Sequence, residues 1–127
     1  MATLDTNCLL RWLIRDDPPA TAQVDARVAA GTSLRVPDAV LIEAVYVMER
    51  HYVFTRDEVA LAIRLVLGQA VFTLDRAVWA DVMDAYLTHP KLSVTDIFLA
   101  VDAASHDGAP LISLDRKLIS QLGAVAP

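Results

Sequence analysis

Cysteine is almost missing from this chain: Cys8 is the single one in 127 residues. An intramolecular disulfide is therefore excluded, and with only 3 histidines, spread far apart, a zinc module is not expected. Glycine is scarce as well. There are 4, none in a G-x-G-x-x-G pattern, which removes a nucleotide-binding Rossmann domain. Positive charge is in deficit, with 11 Lys and Arg against 16 Asp and Glu and a formal net charge of −5. A general basic coat for nucleic acid is excluded, whereas a local basic patch is not. Long charge-free apolar runs are lacking too, and Asp5 arrives too early for the apolar stretch of a signal peptide. The expected setting is a reducing cytoplasm.

What is present is apolar and evenly punctuated. Hydrophobic residues make up 55% of the chain and mean hydropathy is +0.42, enough to bury the core of one domain over residues 1–127. Short apolar runs at Ala2–Leu4, Leu34–Val36, Ala70–Leu74 and Leu111–Leu114 predict strands, with a possible fifth at Ala124–Val125. Helical patterns separate them, at Cys8–Ile14, Pro19–Ala30, Ala39–His51, Arg56–Leu67, Asp75–Thr88, Ser93–His106 and Asp115–Leu122. Strands alternating with helices need crossover connections and hence parallel pairing. The pattern predicts an α/β three-layer α/β/α sandwich around a parallel sheet of four or five strands. Ligands in such sheets bind outside the carboxyl ends of the strands.

Four carboxylates draw attention. Asp5 and Asp115 follow strands, and capping the next helix explains each of them, as it does Asp38 and Asp75. Ser93-Val94-Thr95-Asp96 fits a capping box before an apolar run. Glu43 is harder to assign to structure alone. It is the only charge in Ala39–Met48, a helix apolar almost all round, where an unpaired carboxylate costs several kcal/mol as an order of magnitude. The structural alternatives are a salt bridge to an arginine and a thin polar stripe facing water. Taken jointly, Asp5, Glu43, Asp96 and Asp115 are expected near the carboxyl ends of the strands. Clustered like charges raise one another's pKa unless a cation neutralises them. All-oxygen donors select a hard divalent ion, Mg²⁺ or Mn²⁺, which suits phosphodiester hydrolysis.

Asp5-Thr6-Asn7, Glu43 within Val40–Glu43, Asp96–Ala100 and Ser113-Leu114-Asp115, in that order and over nearly the whole chain, resemble the PIN-domain nucleases. The order and spacing are similar to the VapC-type toxins of prokaryotic toxin–antitoxin systems. The resemblance implies that Asp5, Glu43, Asp96 and Asp115 are both the catalytic and the metal-binding carboxylates. It implies a supporting place for Thr6, Asn7 and Ser113. It further implies RNA as substrate and inhibition by a small cognate antitoxin protein. Asp102 departs from the family, whose helix is small and apolar on that face, and is expected to be solvated.

Other residues have plainer readings. Arg11 and Arg15, one helical turn apart, and the pair Arg116-Lys117 read as surface charge with phosphate or antitoxin contact as the alternative. His51, His89 and His106 fall at helix ends, where they suit the C-terminal dipole. Trp12, Tyr46, Trp79 and Tyr86 belong to apolar helical patterns and read as core. Val59–Leu67 carries only Arg64 and is apolar on nearly every face, which predicts a homodimer. Two further function classes stay open. One is a PIN-fold binding module that cuts nothing. The other is a receiver-like α/β switch, although the lysine-bearing strand end of a receiver is not found.

Overall fold

The computed structural model describes residues 1–127. They form two compact units, Met1–Leu74 and Asp75–Pro127.

The first unit holds a parallel sheet of three strands, β1 (Ala2–Thr3), β2 (Leu34–Arg35) and β3 (Phe72–Thr73), in the order β1-β2-β3. Ladder bonds continue just past the paired residues, from Leu4 N–H to Arg35 O and from Val36 N–H to Thr73 O. Alternation is clean on β2, where Leu34 and Val36 are buried and Arg35 between them is exposed. Four helices belong to this unit: α1 (Thr6–Ile14), α2 (Pro18–Ala29), α3 (Asp38–Arg50) and α4 (Arg56–Leu67). α1 packs on α2 and on α3, and α3 packs on α4. Leu41, Ala44, Val45 and Met48, spaced as one helical face, are fully buried on α3.

Tying α1 to the loop beyond α3 is a closed polar triad. Arg11 donates to the Tyr52 hydroxyl at 2.8 Å, that hydroxyl donates to Asp16 at 2.9 Å, and Arg11 pairs with Asp16 at 2.9 Å. The Tyr52 bond is the main reason the Arg11 guanidinium sits above its ordinary pKa. Arg15 is likewise taken up, by both oxygens of Asp25 on α2. Neither arginine is left as a free hand for phosphate, because each acid stands in the next turn or helix and completes the pair first.

In the second unit, α5 (Arg76–Thr88), α6 (Val94–Ser105) and α7 (Arg116–Leu122) pack in sequence, α6 touching both neighbours. Trp79 and Tyr86 are fully buried and Trp79 stacks on Phe98 at 5.5 Å, whereas Trp12 and Tyr46 of the first unit are only partly buried. The expected fourth and fifth strands shrink to one parallel bridge, Ile112 with Val125. Ser113 N–H and Val125 N–H complete that bridge. The chain then turns away as Asp115 N–H bonds the Ser113 hydroxyl at 2.9 Å. The sheet therefore has three strands, not four or five, with β2 at its centre. β3 is shorter than Ala70–Leu74 because a turn, Phe72 N–H to Gln69 O, consumes the residues before it.

All three histidines stand at helix C-caps, as expected from sequence. His106 does more. Its Nδ1 bonds the Asp102 carbonyl at 2.9 Å and faces the Asp102 carboxylate at 3.1 Å, while Nε2 lies 3.7 Å from Asp75, the cap of α5. Asp102 is thus not merely solvated. The Asp102 carbonyl first, then the two carboxylates, raise the His106 pKa from 6.5. A raised folded-state pKa stabilises the fold below the unfolded value, and that contribution is lost as pH rises through the folded value. Thermal melts across pH are expected to show this loss above about pH 6.5 in the native chain, and a His106→Gln variant is expected to flatten it.

Candidate active site

Helix starts position most of the candidate residues. A helix beginning at Thr6 leaves first-turn N–H groups without partners, and Asp5, in extended backbone, accepts the Cys8 N–H at 2.9 Å. That bond is the chief reason the Asp5 carboxyl lies below its ordinary pKa, with the Cys8 thiol adding to it. The cause is local, and its sign is opposite to the one mutual repulsion in an acidic cluster imposes. Thr6 is buried in the first turn of α1 and Asn7 is exposed beside it. Asp115 caps α7 in the same way, taking the Lys117 and Leu118 N–H groups on Oδ1 at 2.8 and 3.2 Å while Ser113 holds its backbone. Its Oδ2 has no partner.

Asp96 stands in the first turn of α6, partly buried, with its N–H bonded to the Ser93 hydroxyl at 3.2 Å. The capping box is only half made, since the Asp96 carboxylate does not reach back and stays unengaged. Glu43 corrects an expectation. It lies in the second turn of α3, exposed, with no ion pair. Two positions past Leu41, at about 100° per residue, it projects from the side opposite the buried face. The expected burial in an apolar helix does not occur, and the carboxylate faces outward without a partner. Asp38 is corrected as well: Pro37 is the N-cap of α3 and Asp38 its first residue.

Asp5 and Glu43 thus belong to the first unit, on the packed pair α1 and α3, and Asp96 and Asp115 to the second, on the packed pair α6 and α7. Within neither unit do three or more His, Cys, Asp or Glu side chains gather as a metal-holding group. The donors nonetheless suit a hard divalent ion chemically, being carboxylates with oxygens to spare.

The two look-alike junctions, Leu74-Asp75-Arg76 and Leu114-Asp115-Arg116, are separated by what the second carboxylate oxygen does. Asp75 caps α5 through Val78 N–H at 3.2 Å and turns Oδ2 toward His106. It follows β3, the strand on the far side of β2 from β1. Both of its oxygens have structural work; one of Asp115's does not.

Two cavities were not anticipated from sequence. One, in the second unit, has a volume of about 350 Å³ and is lined by Asp81, Ala100, Ala104 and Leu122 among others. The other, in the first unit, measures about 290 Å³ and is bordered by Thr3, Leu4, Cys8, Gln23, Val24 and Arg27. Neither contains any of the four candidate carboxylates. The one available sequence signal for the second was the Gln23–Arg27 spacing of one helical turn.

A family model, the PIN domain, matches residues 2–124, across both units. The chain belongs to the PIN domain family. No curated protein and no solved structure gives a significant match. PIN domains are typically nucleases, which makes a hydrolase the coarse reading of this fold and removes the receiver-like alternative. No helix of this PIN domain is long and apolar enough to cross a membrane.

Asp75→Asn and Asp115→Asn are each expected to cost roughly 1 kcal/mol or less, because Asn caps nearly as well as Asp, and each Ala variant about 1 kcal/mol or somewhat more. Urea titrations of the four variants check this.

Proposed function

We propose that this PIN domain is a Mg²⁺-dependent endoribonuclease, with Mn²⁺ able to substitute. Asp5, Glu43, Asp96 and Asp115 are its acidic metal-binding residues, and Thr6, Asn7 and Ser113 support them. The observation that carries the reading is the state of those carboxylates in a chain matched by the PIN model over residues 2–124. Glu43 and Asp96 are wholly unengaged, Asp115 keeps one free oxygen, and Asp5 is held ionised by Cys8.

The protein's own groups orient the chemistry. Cys8 N–H aims the Asp5 carboxylate, and the Lys117 and Leu118 N–H groups fix the rotamer of Asp115. Asp96, unconstrained by the Ser93 cap, is free to turn toward a cation. A divalent ion held by these carboxylates would supply activation of water and offset charge on a phosphoryl oxygen.

The biological reading follows the resemblance: the toxin of a toxin–antitoxin pair, cytoplasmic, restrained by a cognate antitoxin, with residues 1–127 acting as one three-layer domain. A homodimer is part of it. Val59, Ala60, Ala62, Ile63 and Val66 of α4 are buried within the chain, but Leu61 and Leu65, one turn apart, are 64% and 56% exposed. A second copy covering them fits that pattern. Light scattering is expected to give twice the chain mass, and Leu61→Lys with Leu65→Lys is expected to return the monomer.

The competing reading, a PIN-fold binding module without activity, draws on the lack of a three-acid group in either unit. One variant separates the two. Asp96→Asn is expected to abolish Mg²⁺-dependent RNA cleavage and to remove the stabilisation that Mg²⁺ gives the native chain, about 2.7 kcal/mol at a hundredfold excess over Kd and read as a rise in Tm. Its metal-free stability is expected to fall by no more than about 1 kcal/mol, the share of one first-turn carboxylate in the helix dipole. A native chain that neither cleaves RNA nor gains stability with Mg²⁺ or Mn²⁺ leaves the binding module.

A further inference from the structure

We propose that the cavity between β1 and α2 is a nucleotide subsite, in which Arg27 takes a phosphate of RNA and Gln23 hydrogen-bonds the base. The assignment rests on the nuclease reading and extends it to a substrate contact made by α2.

Charge is the first argument. The chain carries a net charge of −5, so an anionic substrate needs placed cations. Arg11 and Arg15 are consumed by Asp16 and Asp25. Arg27 makes no ion pair, is exposed, and borders the cavity. Asp25, the acid nearest to it along α2, is held by both terminal nitrogens of Arg15, so nothing on its own helix neutralises Arg27. The guanidinium fork matches two phosphate oxygens.

Shape is the second. Gln23 and Arg27 are one turn apart and share a helix face, so both reach the same space. An amide offers donor and acceptor together, which is what a base edge requires. Leu4, Val24 and Leu34 supply an apolar wall for the flat face of a base. The volume of about 290 Å³ lies near the small end of ligand cavities.

Position is the third. Leu4 and Cys8 both border the cavity, and between them stands Asp5, held by the Cys8 N–H. A nucleotide seated here is bordered by the residue that precedes Asp5 and by the residue whose N–H holds its carboxylate.

Cys8 is the only cysteine and borders the cavity, so its alkylation reports occupancy without any cleavage. The full chain in EDTA is treated with N-ethylmaleimide at fixed pH, with each of the four ribonucleoside 5′-monophosphates at up to about 10 mM, a range suited to millimolar affinity. Inorganic phosphate and uridine are the comparison arms. At least one nucleotide is expected to slow alkylation severalfold and saturably, with phosphate or uridine alone far less effective. Arg27→Gln is expected to remove most of the protection while leaving the alkylation rate of the free chain and its Tm unchanged. Arg27→Lys, which keeps the charge at the end of α2 but loses the fork, is expected to protect only weakly. With a short RNA read by fluorescence anisotropy, Arg27→Gln is expected to reduce the slope of log K against log salt by about 0.7, one single-strand phosphate contact.

No protection by any nucleotide overturns the proposal. So does equal protection in Arg27→Gln, and so does phosphate alone protecting as well as the nucleotides. Protection in a chain that cleaves no RNA keeps the subsite and removes the nuclease reading. Cleavage without protection removes the subsite alone.

Discussion

Every helix in this protein begins soon after a strand or a tight loop, and its first N–H groups must find acceptors. That demand organises the rest. Asp5, Asp17, Thr55, Asp75, Ser93 and Asp115 each turn a side-chain oxygen back onto the helix they precede. A carboxylate meets the demand with one oxygen and has another left. The same bond that starts a helix therefore aims a spare acceptor outward, at the end of the element where α/β folds bind ligands. What the spare oxygen meets decides its use: His106 in the case of Asp75, nothing in the case of Asp115.

Charge follows a similar economy. An acidic chain proposed to act on an acidic polymer has few cations to spend, and most are engaged internally. Arg11 closes a triad with Tyr52 and Asp16, Arg15 locks to Asp25, and Arg50 lies over the Tyr46 ring at 4.7 Å. Those contacts brace the first unit from α1 outward. Arg27, by contrast, makes no ion pair and borders a cavity. Apolar surface is divided in the same manner, with α4 burying one side and leaving Leu61 and Leu65 outside.

The helices were legible because their signals are local. Asp75 and Asp115 at the N-caps of α5 and α7, the Ser93 cap of α6 and the histidines at C-caps each act within one turn of the residues that announce them. Asp5, Asp96 and Asp115 were legible for the same reason, as caps or a first-turn acid. Strand length was not. An apolar run such as Leu111–Leu114 is strand-like in itself, but how much of it joins a ladder depends on a neighbour, and here only Ile112 finds one. The exposure of Glu43 was not legible because apolar neighbours in sequence surround a helix on all sides, while packing uses only the side that holds Leu41, Ala44, Val45 and Met48.

The amino-acid order alone determined where helices start, which residues cap most of them, that the sheet is parallel, and which acids are candidates for chemistry. These depend on backbone groups within a few residues and on crossover geometry. Only tertiary structure decided that β2 is central, that Glu43 faces outward, that Arg11 and Arg15 are spent on ion pairs, and that Gln23 and Arg27 open onto a cavity beside Cys8. Each of these depends on partners brought from elsewhere in the chain, and no local pattern encodes which partner arrives.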